Sequence, residues 1–245
     1  MELPNLKFKD KTILITGASG GIGSETARLF AEEGANIVIN YYESKNKAEK
    51  LLEEIKEIGS EGIVIKADVS KEKEIELMID KAINRFKKIN VLINNAAKHP
   101  PPMFIFKQPD WKLWDRMYQV NVKGILLCSY YVAPFLKETQ GNIVNVIMDY
   151  KPGGLGYLLT KNTGTPLTRG LAKELSPIRV NAVSPDAIDT WGMTEEEKEY
   201  HINRTLVKRV GNPNDIANVI LFLASDKASF ITGETIHVDG GKQIN

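Results

Sequence analysis

Tyr157 and Lys161 stand one helical turn apart, so on a helix a phenol and an ammonium share one face. A phenol holds its proton to a pH of about 10, and a neighbouring positive charge favours the phenolate, which suits a proton donor to a carbonyl oxygen. Alone, the same spacing also describes a core aromatic beside a solvated helix charge. A second stretch, Thr16-Gly17-Ala18-Ser19-Gly20-Gly21-Ile22-Gly23, is suited to holding a phosphate. Glycines at 17, 21 and 23 let the backbone turn tightly and approach a pyrophosphate, and a helix starting there offers free N–H groups and a positive dipole end. The spacing is G-x-x-x-G-x-G rather than the commoner G-x-G-x-x-G.

The elements that must position these residues follow from periodicity. Thr12 to Thr16, Ile37 to Asn40, Ile63 to Lys66, Val91 to Asn94, Ile143 to Val146, Val180 to Val183 and Thr235 to Val238 read as buried strands. Between them lie stretches of helical period. Ile75, Met78, Ile79, Ala82, Ile83 and Phe86 form one buried face with Ser70 as the expected cap, and Ala48, Leu51, Leu52, Ile55 and Ile58 form another that ends at Gly59. Strand and helix alternate along one undivided chain. The expected fold is α/β: a Rossmann-type doubly wound parallel sheet of about seven strands, one domain over 1–245. The least regular stretches, 98–109 and 186–210, follow strands and should lie over the carboxyl edge, where such sheets bind ligands. Glu195 to Lys198 reads as the start of a small mobile helix of the kind that forms a lid.

Composition excludes other classes. In 245 residues, 32 Lys and Arg against 31 Asp and Glu leave a charge of +1, which gives no broad footprint for nucleic acid or an anionic membrane. With Cys128 alone there is no internal disulfide, and His99, His201 and His237 lack ligand spacing, so no metal is expected. Met1 to Asp10 lacks a signal peptide's apolar core, and no stretch is long and apolar enough to span a membrane. A cytoplasmic protein is expected.

Six ordered stretches resemble the short-chain dehydrogenase/reductase family. They are Thr16 to Gly23; Asp68-Val69; Asn94-Asn95-Ala96-Ala97; Asn121 in Asn121-Val122-Lys123-Gly124; Tyr157-x-x-x-Lys161; and Ile231-Thr232-Gly233 with Val238-Asp239-Gly240-Gly241. The resemblance implies a nicotinamide dinucleotide held by Gly17, Ser19, Gly21, Ile22, Gly23, Asp68, Val69, Asn95 and Ala96. It implies Tyr157 as acid/base, Lys161 also binding the nicotinamide ribose, and Asn121 holding a water in a proton relay. Pro185, Ile188 and Thr190, in a stretch resembling P-G-x-x-x-T, would meet the carboxamide and phosphates. A homotetramer or homodimer is implied too.

The chain departs from that pattern in three places. Ile147 and Met148 stand where the family carries serines, and the segment from Met148 to Tyr157, with Pro152, Gly153, Gly154 and Gly156, is shortened. A thioether has no proton to donate. Three readings stay open: Asp149 swings in as a protonated acid, as in pterin-reducing members acting on C=N; Tyr157 and Lys161 work without a third donor; or the chain binds nucleotide as a catalytically degenerate subunit. Second, Asp186 takes the place of a glycine, restricting φ and adding negative charge near phosphate. Third, Tyr41 falls where NAD enzymes carry an acid for the ribose; with Lys45 nearby and Glu43 opposing, NADP(H) is preferred over NAD(H). Pro100 to Phe104, Trp191 and Met193 suggest an apolar pocket, and the resemblance implies a carbonyl or alcohol substrate such as a 3-oxoacyl thioester, ketone or sugar.

Overall fold

The structure, a computed structural model, describes residues 8–98, 110–149, 155–190 and 192–244, with 155–158 described as backbone only. The chain runs β1 (Thr12–Ile15), α1 (Gly21–Glu32), β2 (Asn36–Tyr41), α2 (Lys45–Glu57), β3 (Gly62–Lys66), α3 (Glu72–Phe86), β4 (Val91–Asn94) and α4 (Trp111–Tyr118). A π-turn, Gln119–Lys123, joins α4 to α5 (Gly124–Thr139). There follow β5 (Asn142–Val146), α6 (Leu155–Asn162), α7 (Gly164–Glu174), β6 (Arg179–Pro185), α8 (Glu195–Ile202), α9 (Pro213–Ala224), β7 (Thr235–Val238) and a closing 3-10 turn, Lys242–Ile244.

The seven strands form one parallel sheet in the order β3-β2-β1-β4-β5-β6-β7. The order reverses between β1 and β4, and the expected doubly wound sheet is what forms. Strand side chains alternate between faces. Ile13 and Ile15 of β1, Ile37 and Ile39 of β2 and Val144 and Val146 of β5 join one core beneath α1, α2 and α9. Leu14, Val38 and Ile143, one residue out of step, join a second core with α3 and α5. Burial on both faces explains why the strands read as unbroken apolar runs.

Helix ends follow local chemistry. Gly59 adopts φ +96° just past α2, as a left-handed stop requires. The capping box on α8 is complete: Thr194 accepts from the Glu197 N–H, and Glu197 accepts from the Thr194 N–H. Ser70 is not the cap expected for α3. That position belongs to Lys71, while the Ser70 hydroxyl donates to Asp68 Oδ1 at 2.8 Å.

Polar side chains tie together the carboxyl ends of the central strands. Asn94 Nδ2 of β4 donates to Asn145 Oδ1 of β5 at 2.9 Å, and Asn145 Nδ2 donates to Thr168 Oγ1 of α7 at 3.0 Å. All three are buried, and their mutual satisfaction fixes β4 against β5 and α7 beside the edge that carries the site.

Candidate active site

A cleft of ≈ 760 Å³ opens over the carboxyl edge at the reversal of strand order, large enough for a dinucleotide. Its floor is the glycine loop. Gly17 has φ +62°, and a Cβ there would lie 2.8 Å from Ala96 Cα, so this turn admits no side chain. Three side chains hold the loop. Asn40 Oδ1 accepts from the Gly17 N–H at 3.1 Å, Asn95 Nδ2 donates to the Thr16 and Gly17 carbonyls at 3.0 Å each, and Thr16 Oγ1 accepts from the N–H groups of Asn95 and Ala96. Sequence reasoning missed Asn40; its signal was one amide closing the apolar run of β2.

Gly17, Ser19, Gly21, Ile22, Gly23, Asp68, Val69, Asn95, Ala96, Lys161, Pro185, Ile188 and Thr190 are all brought to this cleft. Two observations fit them to a phosphate-bearing ligand. A Cβ on Gly21 would meet Thr190 Cβ at 2.8 Å, so the loop and the segment after β6 close together only because position 21 is bare. Thr190 Oγ1 is buried there without a hydrogen-bond partner among the described residues. At the far end, Asp68 accepts from the N–H and hydroxyl of Ser70 and pairs with Arg116 Nη1 at 2.9 Å. Burial pushes its carboxyl up, but the bonds from Ser70 and Arg116 outweigh that and hold it below the ordinary range. The Arg116 guanidinium also lies over the Tyr42 ring at 5.2 Å.

The catalytic candidates gather on α6 and its neighbours. The backbone places Tyr157 one turn before Lys161 on α6; the Tyr157 side chain lies outside the described residues. Lys161 is 6% exposed, lines the cleft, and donates Nζ to the Val146 carbonyl at the end of β5 at 3.3 Å. Burial pushes its ammonium from 10.5 down to about 8. The π-turn widens the backbone around Asn121, whose Nδ2 donates to Thr160 Oγ1, next to Lys161, at 3.1 Å. Its Oδ1 accepts from the Lys98 N–H at 2.8 Å, so Asn121 ties α6 to the chain leaving β4 without itself lining the cleft.

A family model described as enoyl-(acyl carrier protein) reductase matches residues 17–243. The chain belongs to the short-chain dehydrogenase/reductase family. It is 40% identical over 243 residues to 3-oxoacyl-(acyl-carrier-protein) reductase FabG of Staphylococcus epidermidis, covering 95% of this chain and 98% of that one. The FabG of Thermotoga maritima is 36% identical over 255 residues, with 98% and 100% covered. Among solved structures, a 7 alpha-hydroxysteroid dehydrogenase complexed with NADH and 7-oxo glycochenodeoxycholic acid superposes with a TM-score of 0.90 at 32% identity, covering 97% of this chain and 96% of that one. The family's members are NAD(P)-dependent oxidoreductases.

Within this dehydrogenase/reductase fold, several expectations need correcting. Asp149 does not swing into the cleft: its Oδ2 accepts from Thr165 Oγ1 at 2.9 Å and lies 3.5 Å from His237 Nε2, on the β7 side. The cleft wall there is Val146, Ile147 and Met148. Ile147 is 2% exposed and packs on bare Gly164, where a Cβ would come within 2.5 Å of it. Tyr41 is buried in the core rather than in the cleft, because it shares strand parity with Ile37 and Ile39; Tyr42, Glu43, Ser44 and Lys47 line that end instead. The left-handed residue after β6 is Ala187, φ +55°, not Asp186. Pro100 to Phe104 and Trp191, expected in the substrate wall, lie outside the described residues.

The Asp149 geometry carries a prediction. Asp149→Ala is expected to change kcat/KM less than about tenfold, while the loss of a bond from Thr165 costs ~1 kcal/mol, or a few degrees of melting temperature by calorimetry. A loss of turnover as deep as that of a Tyr157 variant would restore the carboxyl to the reaction.

Proposed function

We propose that the protein is an NADP(H)-preferring reductase of carbonyl compounds, with 3-oxoacyl thioesters foremost, acting through Tyr157 as proton donor, Lys161 as its electrostatic partner and Asn121 in the proton relay. The observation that carries the reading is the Lys161 ammonium, buried at the end of β5 and lining the same cleft as the glycine loop. A bound nicotinamide dinucleotide would supply the hydride. Gly17, Ser19, Gly21, Ile22 and Gly23 would hold its pyrophosphate with Thr190, and Asp68 and Val69 its adenine end. With the phenol one helical turn away on the same helix, the positive charge of Lys161 would lower the cost of proton release from Tyr157. Asn121 fixes α6 relative to Lys98.

The preference for NADP(H) is supported by the lining at the end of β2, where Ser44 and Lys47 suit a phosphate better than Glu43 opposes it. The apolar wall of Val146, Ile147 and Met148 suits an acyl chain, and the FabG relatives are named for 3-oxoacyl substrates. We place the protein in the cytoplasm as a homotetramer or homodimer, for which exposed Trp111, Leu126 and Tyr130 on α4 and α5 offer apolar surface.

Loss of the absorbance of reduced nicotinamide tests the reading, with NADPH and NADH each run against 3-oxoacyl thioesters, ketones and dihydropterins. Turnover of a 3-oxoacyl thioester with NADPH at higher kcat/KM than with NADH is the expected result. Saturable NADPH binding without turnover of any carbonyl would make the chain a nucleotide-binding subunit instead. Met148→Ser gives the wall a hydroxyl donor, and kcat is expected to rise roughly 10²-fold, the scale of one oxyanion donor.

A further inference from the structure

Asp186 lines the cleft beside Ile188 and Thr190, with its side chain 7% exposed. A carboxylate there shares a low-dielectric space with the nucleotide phosphates, and like charge opposes binding. Lys242, in the 3-10 turn after β7, brings Nζ to 3.0 Å from Asp186 Oδ1 while lying outside the cleft lining. The same ammonium is 3.4 Å from His201 Nδ1 in the last turn of α8. Gln243 next to it donates Nε2 to the Asp149 carbonyl at 2.8 Å and its N–H to Asp239 Oδ2 at 3.0 Å. One short turn therefore ties together the chain after β5, the chain after β6 and the end of α8.

We infer that Lys242 is a positioning residue for the nicotinamide dinucleotide: it neutralises Asp186 inside the cleft and pins the 186–190 loop to α8. It acts through Asp186 and does not touch the ligand. Asp186 occupies a place where the family carries glycine, and Lys242 sets an opposite charge 3.0 Å from its carboxylate there. The pair also orders the loop whose Thr190 hydroxyl is buried without a hydrogen-bond partner among the described residues. The inference rests on the reading of the cleft as a dinucleotide site.

Titrating NADPH fluorescence against wild type, Lys242→Met, Lys242→Arg and Asp186→Asn/Lys242→Met tests it. Lys242→Met is expected to raise Kd roughly tenfold, the scale of one partly screened charge, and the deficit shrinks as salt is added. Lys242→Arg keeps the charge, and the double variant removes its target, so both bind within about threefold of wild type. A purely structural role would move neither the salt dependence nor the rescue by the double variant. Lys242→Met binding within about twofold of wild type, or a double variant as weak as Lys242→Met, overturns the inference alone. Wild type without saturable binding overturns the dinucleotide reading and the inference with it. Lys242→Gln repeats the test should the methionine variant fail to fold.

Discussion

Lys161→Met is expected to lose about 10³-fold or more in kcat/KM and yet to melt above wild type. The two effects share one cause. Burial pushes the Lys161 ammonium down to about 8 from 10.5, so holding it charged at neutral pH costs on the order of 3 kcal/mol of stability. The group binds fewer protons in the folded than in the unfolded chain between those two values. The cost is therefore fully present below about pH 8 and fades as pH rises toward 10.5. Methionine fills much of the same volume without a charge, and calorimetry of the cofactor-free protein at pH 7 should show a rise of about 5 °C or more, narrowing as pH approaches 10. The same titration predicts that kcat/KM for reduction falls as pH rises through about 8, where the charge beside Tyr157 is lost. A variant that melts lower than wild type at pH 7 would mean that the Val146 carbonyl and the surroundings more than offset the burial.

Much of the fold was legible because buried parallel strands write themselves as apolar runs and the helices between them as one-sided periodicities. The glycine loop was legible because Gly17 and Gly21 face backbone or side-chain atoms closer than a Cβ allows, a constraint that leaves its mark on residue type. Side-chain direction was harder to read. Tyr41 and Tyr42 are adjacent and chemically alike, yet strand parity buries the first and sends the second to the cleft. Asp149 follows the strand that ends beside Lys161, but its carboxylate turns to Thr165 and His237, the latter 88 positions on, which no local pattern announces. Asp186 looked like a liability for its φ; its neighbour Ala187 takes the left-handed conformation instead, and Lys242, distant in sequence, brings the opposite charge.

Tyr157→Phe tests the central claim most directly, because it keeps the ring and removes only the hydroxyl. If the phenol delivers the proton beside a nucleotide held by the glycine loop, kcat/KM for the reduced substrate falls about 10³-fold or more while the Kd for NADPH stays within about threefold of wild type. Pairing the variant with Lys161→Met should then add little further loss if the ammonium acts through the phenol as proposed. Turnover within about tenfold of wild type, with binding unchanged, would contradict the account and place the proton on another group.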